Sequence, residues 1–399
     1  MKNYVKSKQT IEKFLKIAHD ITQERFRAPF VSSERSESRN KDFSIRPKGP
    51  HSKRTGRVME KKEIIDFNII SLQETPEERS HDFCPKTFDD YLGQKELKEK
   101  LHVYTQAAKM RQEPLDHLLL FGPPGVGKTT LSQIMAHVMG VGIKICSGPM
   151  MERTGDLVAI LSSLEPRDIL FIDEIHRMPA NVEEVLYNAM EHFRVDVIIG
   201  QGAGAKSINL PIQPFTLVGA TTKSGMISAP LRSRFGIIER IDFYSDEDLQ
   251  EIILQSAEFL KISIRPESAL LIGSCSRGTP RIAKKILRRV RDVAQVKHIA
   301  TIDHTLVQEA LSFLGIQEDG LTKIDLLLLQ KIIENFNGGP VGLETLAALI
   351  GEDTETIEMV YEPFLLRKGY LEKTARGRQI PHKKLPHLKQ KFMGQHTLL

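Results

Sequence analysis

The chain has 399 residues, of which 40% are hydrophobic and 27% are charged, and its formal net charge is +5. This length allows two or three domains, and the composition is that of an ordinary globular protein. No apolar run approaches the length of a membrane span, and the N-terminus lacks the apolar core of a secretory signal, so we expect no membrane association. The three cysteines are scattered without a C-x-x-C pair, which argues against a disulfide framework or a zinc site and is typical of a cytoplasmic protein.

The positive charge is concentrated at the N-terminus. Residues 1–58 carry fifteen Lys or Arg and six Asp or Glu, a net +9, so the rest of the chain carries −4. Residues 32–58 are rich in Ser, Pro and basic side chains, and such a segment cannot bury enough surface to offset its ordering entropy. We interpret residues 1–78 as a disordered leader, with Met59 as an alternative start. A basic arm that touches DNA is the other interpretation.

Residues 122–130, Gly-Pro-Pro-Gly-Val-Gly-Lys-Thr-Thr, fit the pattern G-x-x-x-x-G-K-[ST]. The apolar run 118–121 predicts a strand before them and the pattern of 131–139 predicts a helix after them, which is the setting that a phosphate-binding loop requires. Glycines such as Gly125 and Gly127 let the backbone turn its N–H groups toward phosphate.

The last three residues of this motif have side chains suited to a nucleotide. We expect Lys128 to reach the β- and γ-phosphates, Thr129 to hold Mg²⁺, and Thr130 to add a hydroxyl contact. The motif therefore predicts ATP or GTP binding; a plain strand-to-helix turn is the alternative.

Residues 168–175, Asp-Ile-Leu-Phe-Ile-Asp-Glu-Ile, are an apolar run that ends in two carboxylates. A short strand at 143–145 and a helix at 155–164 are predicted before it. A buried parallel strand delivers the side chains at its carboxyl end to the edge of the sheet where ligands bind. We expect Asp173 to hold Mg²⁺ through water and Glu174 to polarise the attacking water. Two surface acids at a strand end are the alternative.

Two extended runs around a Gly-rich turn, together residues 195–212, predict a β-hairpin. We expect Ile198 and Ile199 to be exposed near its tip, which favours contact with a partner protein. A hairpin that packs on its own domain is equally consistent with the sequence.

Residues 215–222 predict a third buried strand that ends in polar residues. Thr222 is placed to orient the hydrolytic water or to sense the γ-phosphate. Arg232 and Arg234 follow, and two arginines just beyond a catalytic strand suit stabilisation of charge on a transferring phosphoryl group. If they act on the ATP of a neighbouring subunit, the assembly is a ring or a filament.

After residue 244 the pattern is helical throughout. Gly-Thr-Pro-Arg at 278–281 opens a helix with Arg281 in its first turn, and a small helical domain here would close over the nucleotide. We interpret the basic residues that continue this helix as a solvated face. They are Lys284, Lys285, Arg288, Arg289 and Arg291.

The C-terminal part predicts a helix-turn-helix followed by a β-wing, which is a nucleic-acid-binding layout. Its predicted elements are a linker at 317–323, helices at 325–336, 342–350 and 354–368, and two short strands within 369–380. Lys373, Arg376 and Arg378 lie on the wing, where they would reach a DNA backbone or minor groove. A purely structural winged helix is the alternative.

Across residues 79–385 the chain resembles the RuvB family, the bacterial Holliday-junction branch-migration motors of the AAA+ class. The resemblance rests on segments in family order and spacing at residues 116–125, 170–177, 219–222, 232–236, 278–283 and 336–343. It implies an α/β P-loop ATPase core, with a parallel sheet between helices, over 79–242. A helical lid over 243–316, a winged helix over 317–385 and a tail over 386–399 would follow.

The resemblance also implies a role for individual residues. Thr222 is similar to sensor 1, Arg281 to sensor 2, and Arg234 to an arginine finger acting in trans. The positions matching the family's remaining nucleotide contacts are Phe83, Cys84, Glu191, His192, Phe193 and Tyr244. The chain departs from the family pattern at three places: Cys84 replaces an arginine, His192-Phe193 replaces Asp-Tyr, and Thr354 replaces a basic residue.

For the whole protein, the resemblance implies a homohexameric ATPase that drives branch migration on duplex DNA during recombination and repair. RuvA would dock on the hairpin 195–212, and the RuvC resolvase would join the complex. A clamp-loader-type switch and a DNA-binding scaffold with negligible turnover are the rivals. The winged helix and the hairpin argue against the first, and the intact set of Glu174, Thr222 and Arg234 argues against the second.

Overall fold

A five-stranded parallel sheet forms the centre of the first part of the protein, in a computed structural model that describes residues 83–199 and 206–393. Across this sheet the strand order is β2-β3-β6-β1-β7. A separate antiparallel hairpin is formed by β4 and β5. The strands are β1 Leu118–Phe121, β2 Ile143–Ser147, β3 Ile169–Asp173, β4 Arg194–Ile199, β5 Lys206–Pro211, β6 Thr216–Thr221 and β7 Ile237–Arg240.

The central strands are buried on both faces, which is why they are continuous apolar runs rather than alternating ones. Leu118, Leu119 and Leu120 in β1 are fully buried. In the register of the sheet Phe121 pairs with Thr221, so β1 and β6 end at the same edge. This shared carboxyl edge is where the polar residues predicted from the sequence come together.

Helices cover both faces of the sheet, as the predicted fold class requires. One face packs on α1 and α2 through a core that includes Leu118, Phe171 and Leu131, and the other packs on α3 and α4 through Leu119, Leu170 and Leu186. The helices are α1 Lys95–Arg111, α2 Lys128–Met139, α3 Thr154–Ser162, α4 Ala180–His192 and the short α5 Ala229–Ser233. The predicted α/β core is confirmed.

A helical unit follows the sheet, and it differs from the predicted one in two details. Two short parallel strands, β8 and β9, interrupt the helices, so the prediction of a helical pattern throughout was wrong here. On α8, Lys285 and Arg288 are only 6% and 5% exposed, so the basic residues do not form the solvated face we expected. The elements are α6 Asp246–Phe259, β8 Ser263–Ile264, α7 Pro266–Cys275, α8 Pro280–Val296, β9 Thr301–Ile302 and α9 His304–Phe313.

The C-terminal part is a winged helix with its own core, as predicted. A π-helical segment, Ile357–Tyr361, joins α12 to α13, and a bridge between Val341 and Arg378 adds a backbone pairing to the wing. A last helix packs Leu388 and Phe392 into this core, so the described part of the segment predicted as a tail is helical. The elements are α10 Lys323–Phe336, α11 Leu343–Ile350, α12 Thr354–Thr356, α13 Glu362–Arg367, β10 Glu372–Thr374, β11 Gly377–Gln379 and α14 Leu385–Met393.

Some predictions fall outside the described residues. They concern the leader at 1–78, the tip of the hairpin at 200–205, and the side chains of Ile198 and Ile199. Within the part of the chain that is described, no helix combines the length and apolar character needed to cross a bilayer.

Candidate active site

Gly125 and Gly127 are two of the positions at which the phosphate loop, residues 122–130, requires glycine. Gly125 has φ +78° and Gly127 has φ +104°, a left-handed region that other residues rarely adopt. A Cβ on Gly125 would lie 2.9 Å from Thr279 Cγ2 and 3.0 Å from Arg281 Cβ. The loop therefore needs glycine there both for its turn and for its close approach to α8.

Lys128 opens α2 directly after this loop and is 7% exposed. Its Nζ donates hydrogen bonds of 2.9 Å to two carbonyl oxygens of its own loop. Burial lowers the pKa of Lys128 to about 8, and the carboxylates of Asp173 and Glu174 oppose that shift. Arg281 adds to the lowering, so the loop lysine, both acids and the predicted sensor 2 interact electrostatically at one place.

The oxygen donors at this place suit a magnesium–nucleotide complex. Thr129 and Thr130 are partly buried in the first turn of α2, and Asp173 ends β3. Hydroxyl and carboxylate oxygens are the ligands that Mg²⁺ prefers, and at phosphate sites it takes only one or two carboxylates. Over residues 83–199 and 206–393, no group of three or more His, Cys, Asp and Glu side chains is arranged to hold a metal ion. The donors thus fit a metal shared with phosphate oxygens rather than one enclosed by protein.

Two tyrosines support the phosphate loop. The Tyr244 hydroxyl lies 2.9 Å from Tyr91 Oη and 3.2 Å from the Val126 carbonyl oxygen. Burial raises the pKa of Tyr91 to about 12 and that of Tyr244 well above its ordinary value, so both hydroxyls keep their protons. Tyr244, which we expected at the nucleotide, contacts the backbone of the loop, and Tyr91 is a neighbour that the sequence reading missed.

Phe83 and Cys84 contact the helical unit and α2 respectively. The Phe83 carbonyl accepts a 2.8 Å hydrogen bond from Lys284 Nζ, and its ring packs edge-on against Phe259 with centroids 5.8 Å apart. Cys84 is exposed, and its Sγ lies 3.6 Å from Gln133 Oε1. Both positions are therefore next to elements that flank the phosphate loop.

The predicted base and the predicted sensor 1 are in contact. Glu174 follows β3 with φ +47°, and its Oε2 accepts hydrogen bonds from Thr222 Oγ1 at 3.2 Å and from the Thr222 N–H at 3.4 Å. Because β3 and β6 are neighbours in the sheet, the strand order itself brings these residues together. Asp173 Oδ1 accepts a 3.0 Å hydrogen bond from the Glu174 N–H, which fixes the turn between the two acids.

His176 is a further neighbour of this pair that the sequence does not indicate. Its Nδ1 lies 2.9 Å from Thr221 Oγ1 and 3.2 Å from Glu174 Oε2, and its side chain is 4% exposed. Burial lowers its pKa below the ordinary value, so the imidazole is neutral at pH 7. A single histidine two positions after Glu174 carries no spacing signal that would have identified it.

Arg234 lies at the end of α5, against α4. Its Nε is 3.0 Å from Glu191 Oε1, and its guanidinium lies 4.4 Å from the centre of the Tyr187 ring. The Nε–H does not point at the carboxylate, so this contact is an ion pair without a hydrogen bond. His192 Nε2 is 3.9 Å from the same carboxylate. Three predicted nucleotide contacts thus share one surface, and no contact among the described residues joins Arg234 to the phosphate loop of its own chain.

Phe193, the next predicted nucleotide contact, belongs to the core instead. Its ring packs edge-on against Phe215 with centroids 6.1 Å apart, and its carbonyl accepts a hydrogen bond of 2.9 Å from the Ile212 N–H. Phe193 therefore anchors the base of the hairpin to the sheet.

The three predicted DNA contacts on the wing differ in their surroundings. Arg378 makes two hydrogen bonds of 2.9 and 3.3 Å to the carboxylate of Glu362, which is 1% exposed. Lys373 lies 3.2 Å from Glu362 and 3.6 Å from Glu358. Arg376 is exposed at the turn, and no described carboxylate lies within ion-pair distance of it. Arg376 is therefore the wing cation most available to an anionic partner.

Family models match consecutive parts of this chain. Residues 83–241 match a Holliday junction DNA helicase RuvB P-loop domain, 244–317 a RuvB AAA lid domain, and 318–389 a RuvB C-terminal winged helix domain.

Curated relatives agree with these matches. The chain is 53% identical over 308 residues to the Holliday junction branch migration complex subunit RuvB of Ligilactobacillus salivarius, covering 77% of this chain and 92% of the relative. It is 54% identical over 320 residues to the protein of the same name from Clostridium kluyveri, covering 80% and 90%.

Solved structures agree as well. A Thermotoga maritima RuvB Holliday junction branch migration motor matches with 47% identity and a TM-score of 0.69, covering 77% of this chain and 98% of that one. A point mutant of the same protein matches with 47% identity and a TM-score of 0.71, covering 77% and 99%. With all three family models and relatives above 50% identity in agreement, this chain belongs to the RuvB family of AAA+ P-loop ATPases.

Proposed function

We propose that this protein is an ATP-driven motor that moves Holliday junctions along duplex DNA during recombination and repair. One observation carries the proposal. At the carboxyl edge of the sheet, Lys128 interacts electrostatically with three charged side chains, those of Asp173, Glu174 and Arg281. A plain phosphate-binding turn would need only the loop. The additional acids and the arginine are what ATP hydrolysis requires.

In this proposal each residue acts on a defined part of the reaction. Lys128 and the loop N–H groups hold the β- and γ-phosphates, and Arg281 senses the nucleotide from α8. Glu174 polarises the attacking water, and Thr222 keeps the glutamate oriented through its two hydrogen bonds. Mg²⁺ held by Thr129 and Asp173 would neutralise charge on the phosphates when bound.

The surface that carries Arg234 and Glu191 is the part of the site that we assign to a neighbouring subunit. No described contact joins Arg234 to its own phosphate loop, which supports a role in which its charge stabilises the transferring phosphoryl group in another subunit's site. A closed ring satisfies this head-to-tail requirement at every interface. We propose six subunits.

DNA and partner proteins complete the proposal. The wing, with Arg376 at its turn, would contact the duplex, and the hairpin 195–212 would dock RuvA in a complex that also serves RuvC. Residues 79–242 would act as the ATPase domain, 243–316 as the lid and 317–385 as the DNA-binding domain. Such a protein would work in the cytoplasm. The name of its relatives, a subunit of a branch migration complex, supports such an assembly.

The test is steady-state ATP hydrolysis by the full chain, with and without four-way-junction DNA and a RuvA-type partner. We expect DNA to stimulate turnover and both Arg234→Ala and Glu174→Gln to reduce it to a low residual level. Arg240→Ala is the matched control, because Arg240 is 64% exposed and its one ion pair among the described residues is with the surface residue Asp242. Turnover that DNA does not change would favour the clamp-loader-type switch, and negligible turnover would favour the scaffold.

Mixing the two inactive variants tests the composite site. A subunit carrying Arg234→Ala keeps its glutamate, and a neighbour carrying Glu174→Gln keeps its arginine, so a mixed ring contains intact sites. We expect the mixture to regain activity that neither variant has alone. A mixture that stays inactive would mean that Arg234 acts within its own chain, which would contradict the ring model.

A further inference from the structure

The hydrogen bonds around Glu174 engage its two carboxylate oxygens unequally. Oε2 accepts from Thr222 Oγ1 at 3.2 Å and from the Thr222 N–H at 3.4 Å, and His176 Nδ1 lies 3.2 Å away. Among the residues that the structure describes, no donor contacts Oε1. One oxygen is therefore held by the protein, and the other is left for the attacking water.

The contact with His176 indicates the tautomer of the histidine, although Nδ1 and Glu174 Oε2 form a close polar contact rather than an aligned hydrogen bond. A carboxylate can only accept hydrogen bonds, so a distance of 3.2 Å between Nδ1 and Glu174 Oε2 is attractive only if Nδ1 carries hydrogen. The same N–H faces Thr221 Oγ1 at 2.9 Å. Since the Thr221 hydroxyl has two acceptor lone pairs, it can accept from His176 as well as from the Lys223 N–H, which is also 2.9 Å away.

The imidazole is itself held in place. Its side chain is 4% exposed, and it follows Ile175, which is fully buried. Thr221, its hydrogen-bond partner, is also fully buried, in the central strand β6. The imidazole beside Glu174 is thus fixed to the rigid sheet, whereas Glu174 lies in a turn with a left-handed backbone. A rigid donor of this kind can orient a catalytic carboxylate.

We propose that His176 is a positioning residue for ATP hydrolysis, whose Nδ1–H holds Oε2 of Glu174 so that Oε1 faces the attacking water. This inference rests on the proposed function, in which Glu174 activates that water. His176 contacts neither the nucleotide nor the water in this scheme; it acts through Glu174 alone. Its loss should therefore lower kcat and leave the binding of ATP intact.

Two near-isosteric substitutions separate this role from simple filling of space. The amide nitrogen of an asparagine lies about where Nδ1 lies, so His176→Asn can still donate to Glu174. The amide of a glutamine reaches instead toward the position of Nε2, although glutamine fills the buried volume better. A hydrogen bond to a charged group is worth enough to change a rate by roughly ten- to a hundred-fold.

The experiment measures kcat and KM of DNA-stimulated ATP hydrolysis for the full chain carrying His176→Asn, His176→Gln or His176→Leu. We expect the glutamine and leucine variants to lose roughly ten- to a hundred-fold in kcat at nearly constant KM. The asparagine variant should retain most of the activity. Equal losses of kcat in all three variants would overturn the proposal, and so would a higher kcat in the glutamine variant than in the asparagine variant. A loss of kcat proportional to the loss of Tm across the variants would overturn it as well.

A double variant distinguishes failure of this inference from failure of the proposed function. If His176 acts only through Glu174, adding His176→Leu to Glu174→Gln should cause no further loss of residual turnover. A further loss would mean that the histidine acts elsewhere. If Glu174→Gln alone keeps normal turnover, the proposed function of Glu174 fails, whatever the histidine variants do.

Discussion

Arg277 and Asp325 form an ion pair that is almost fully buried, with side chains 4% and 0% exposed. Arg277 lies in the turn before α8, and Asp325 lies in the first turn of α10, so the pair joins the helical unit to the winged helix. The guanidinium also lies 4.5 Å from the centre of the Phe364 ring. Asp325 accepts two hydrogen bonds from Thr322, of 2.7 Å from its N–H and 2.6 Å from its hydroxyl.

Arg277→Met should destabilise this junction strongly. Burial already raises the pKa of Asp325, and without the arginine its carboxylate would have to take up a proton or remain charged in apolar surroundings. Breaking such a buried pair lowers the free energy of unfolding by about 3–5 kcal/mol. Thermal unfolding followed by calorimetry measures the effect. Arg111→Met is the control, since Arg111 and its partner Glu113 are 59% and 60% exposed. Similar shifts of Tm in the two variants would mean that the buried pair contributes no more to stability than the exposed pair.

Two cations of the wing should have different roles: Arg376 should bind DNA, and Arg378 should stabilise the fold. Arg376→Ala should lower the slope of log affinity against log salt by about 0.9 and leave the Tm unchanged, because one phosphate contact is lost. Arg378→Ala should lower the Tm, because it leaves buried Glu362 without its bidentate partner. Salt titrations of duplex binding and thermal unfolding of both variants test this. A salt slope unaffected by Arg376→Ala would remove that residue from the DNA surface.

Nucleotide affinity should fall as the pH rises through about 8. Burial lowers the pKa of Lys128 to about 8 in the free protein, and bound phosphates would raise it. Above the lower value the Lys128 side chain is a neutral amine and must take up a proton when phosphate binds, so affinity declines by up to about ten-fold per pH unit. Titration with a fluorescent ATP analogue between pH 7 and pH 9 measures this slope. In Lys128→Arg, whose guanidinium does not titrate, the slope should be flatter. An equally steep slope in that variant would assign the titration to another group.

The three cysteines should differ in their reaction with iodoacetamide at pH 8. Burial raises the pKa of Cys146 to about 12 and that of Cys275 to about 11, so few thiolates form there, whereas Cys84 is exposed. Cys84 should therefore react first, and ATP should slow its reaction if this position borders the nucleotide. Peptide mass spectrometry over time, with Cys146 and Cys275 as internal controls, gives the three rates. No effect of ATP on Cys84 would exclude it from the nucleotide site.

The sequence was sufficient for those parts of the site that are fixed by local pattern. The phosphate loop has a required spacing, and the strands ending at Asp173 and Thr222 are continuous apolar runs that end in polar residues. Because parallel strands end at a common edge, their joint position could be inferred as well. The winged helix was predicted from short helices, turn residues and paired strands.

Other contacts join residues that are far apart in the chain, and no local pattern indicates them. Tyr91 and Tyr244 are 153 positions apart. The burial of Lys285 and Arg288 depends on what packs against α8, whereas the sequence shows only a run of charge. Strand β7, Ile237–Arg240, has a mixed pattern of half-buried and exposed residues typical of an edge, and we did not predict it. Helix α14 lies in a basic segment, and only its contacts with the winged-helix core explain its order.

Arg277 and Arg281 are separated by three residues, and this short spacing has a mechanical consequence. One arginine is clamped into the winged helix by Asp325, and the other lies against Gly125, whose carbonyl is 3.4 Å from the Arg281 backbone nitrogen. Only Gly278, Thr279 and Pro280 lie between these two contacts, so little chain is available to absorb a displacement of either one. A small shift of the loop as phosphates are bound or released would therefore rotate the winged helix. Inserting a flexible pair of glycines here should uncouple ATP hydrolysis from movement of the DNA.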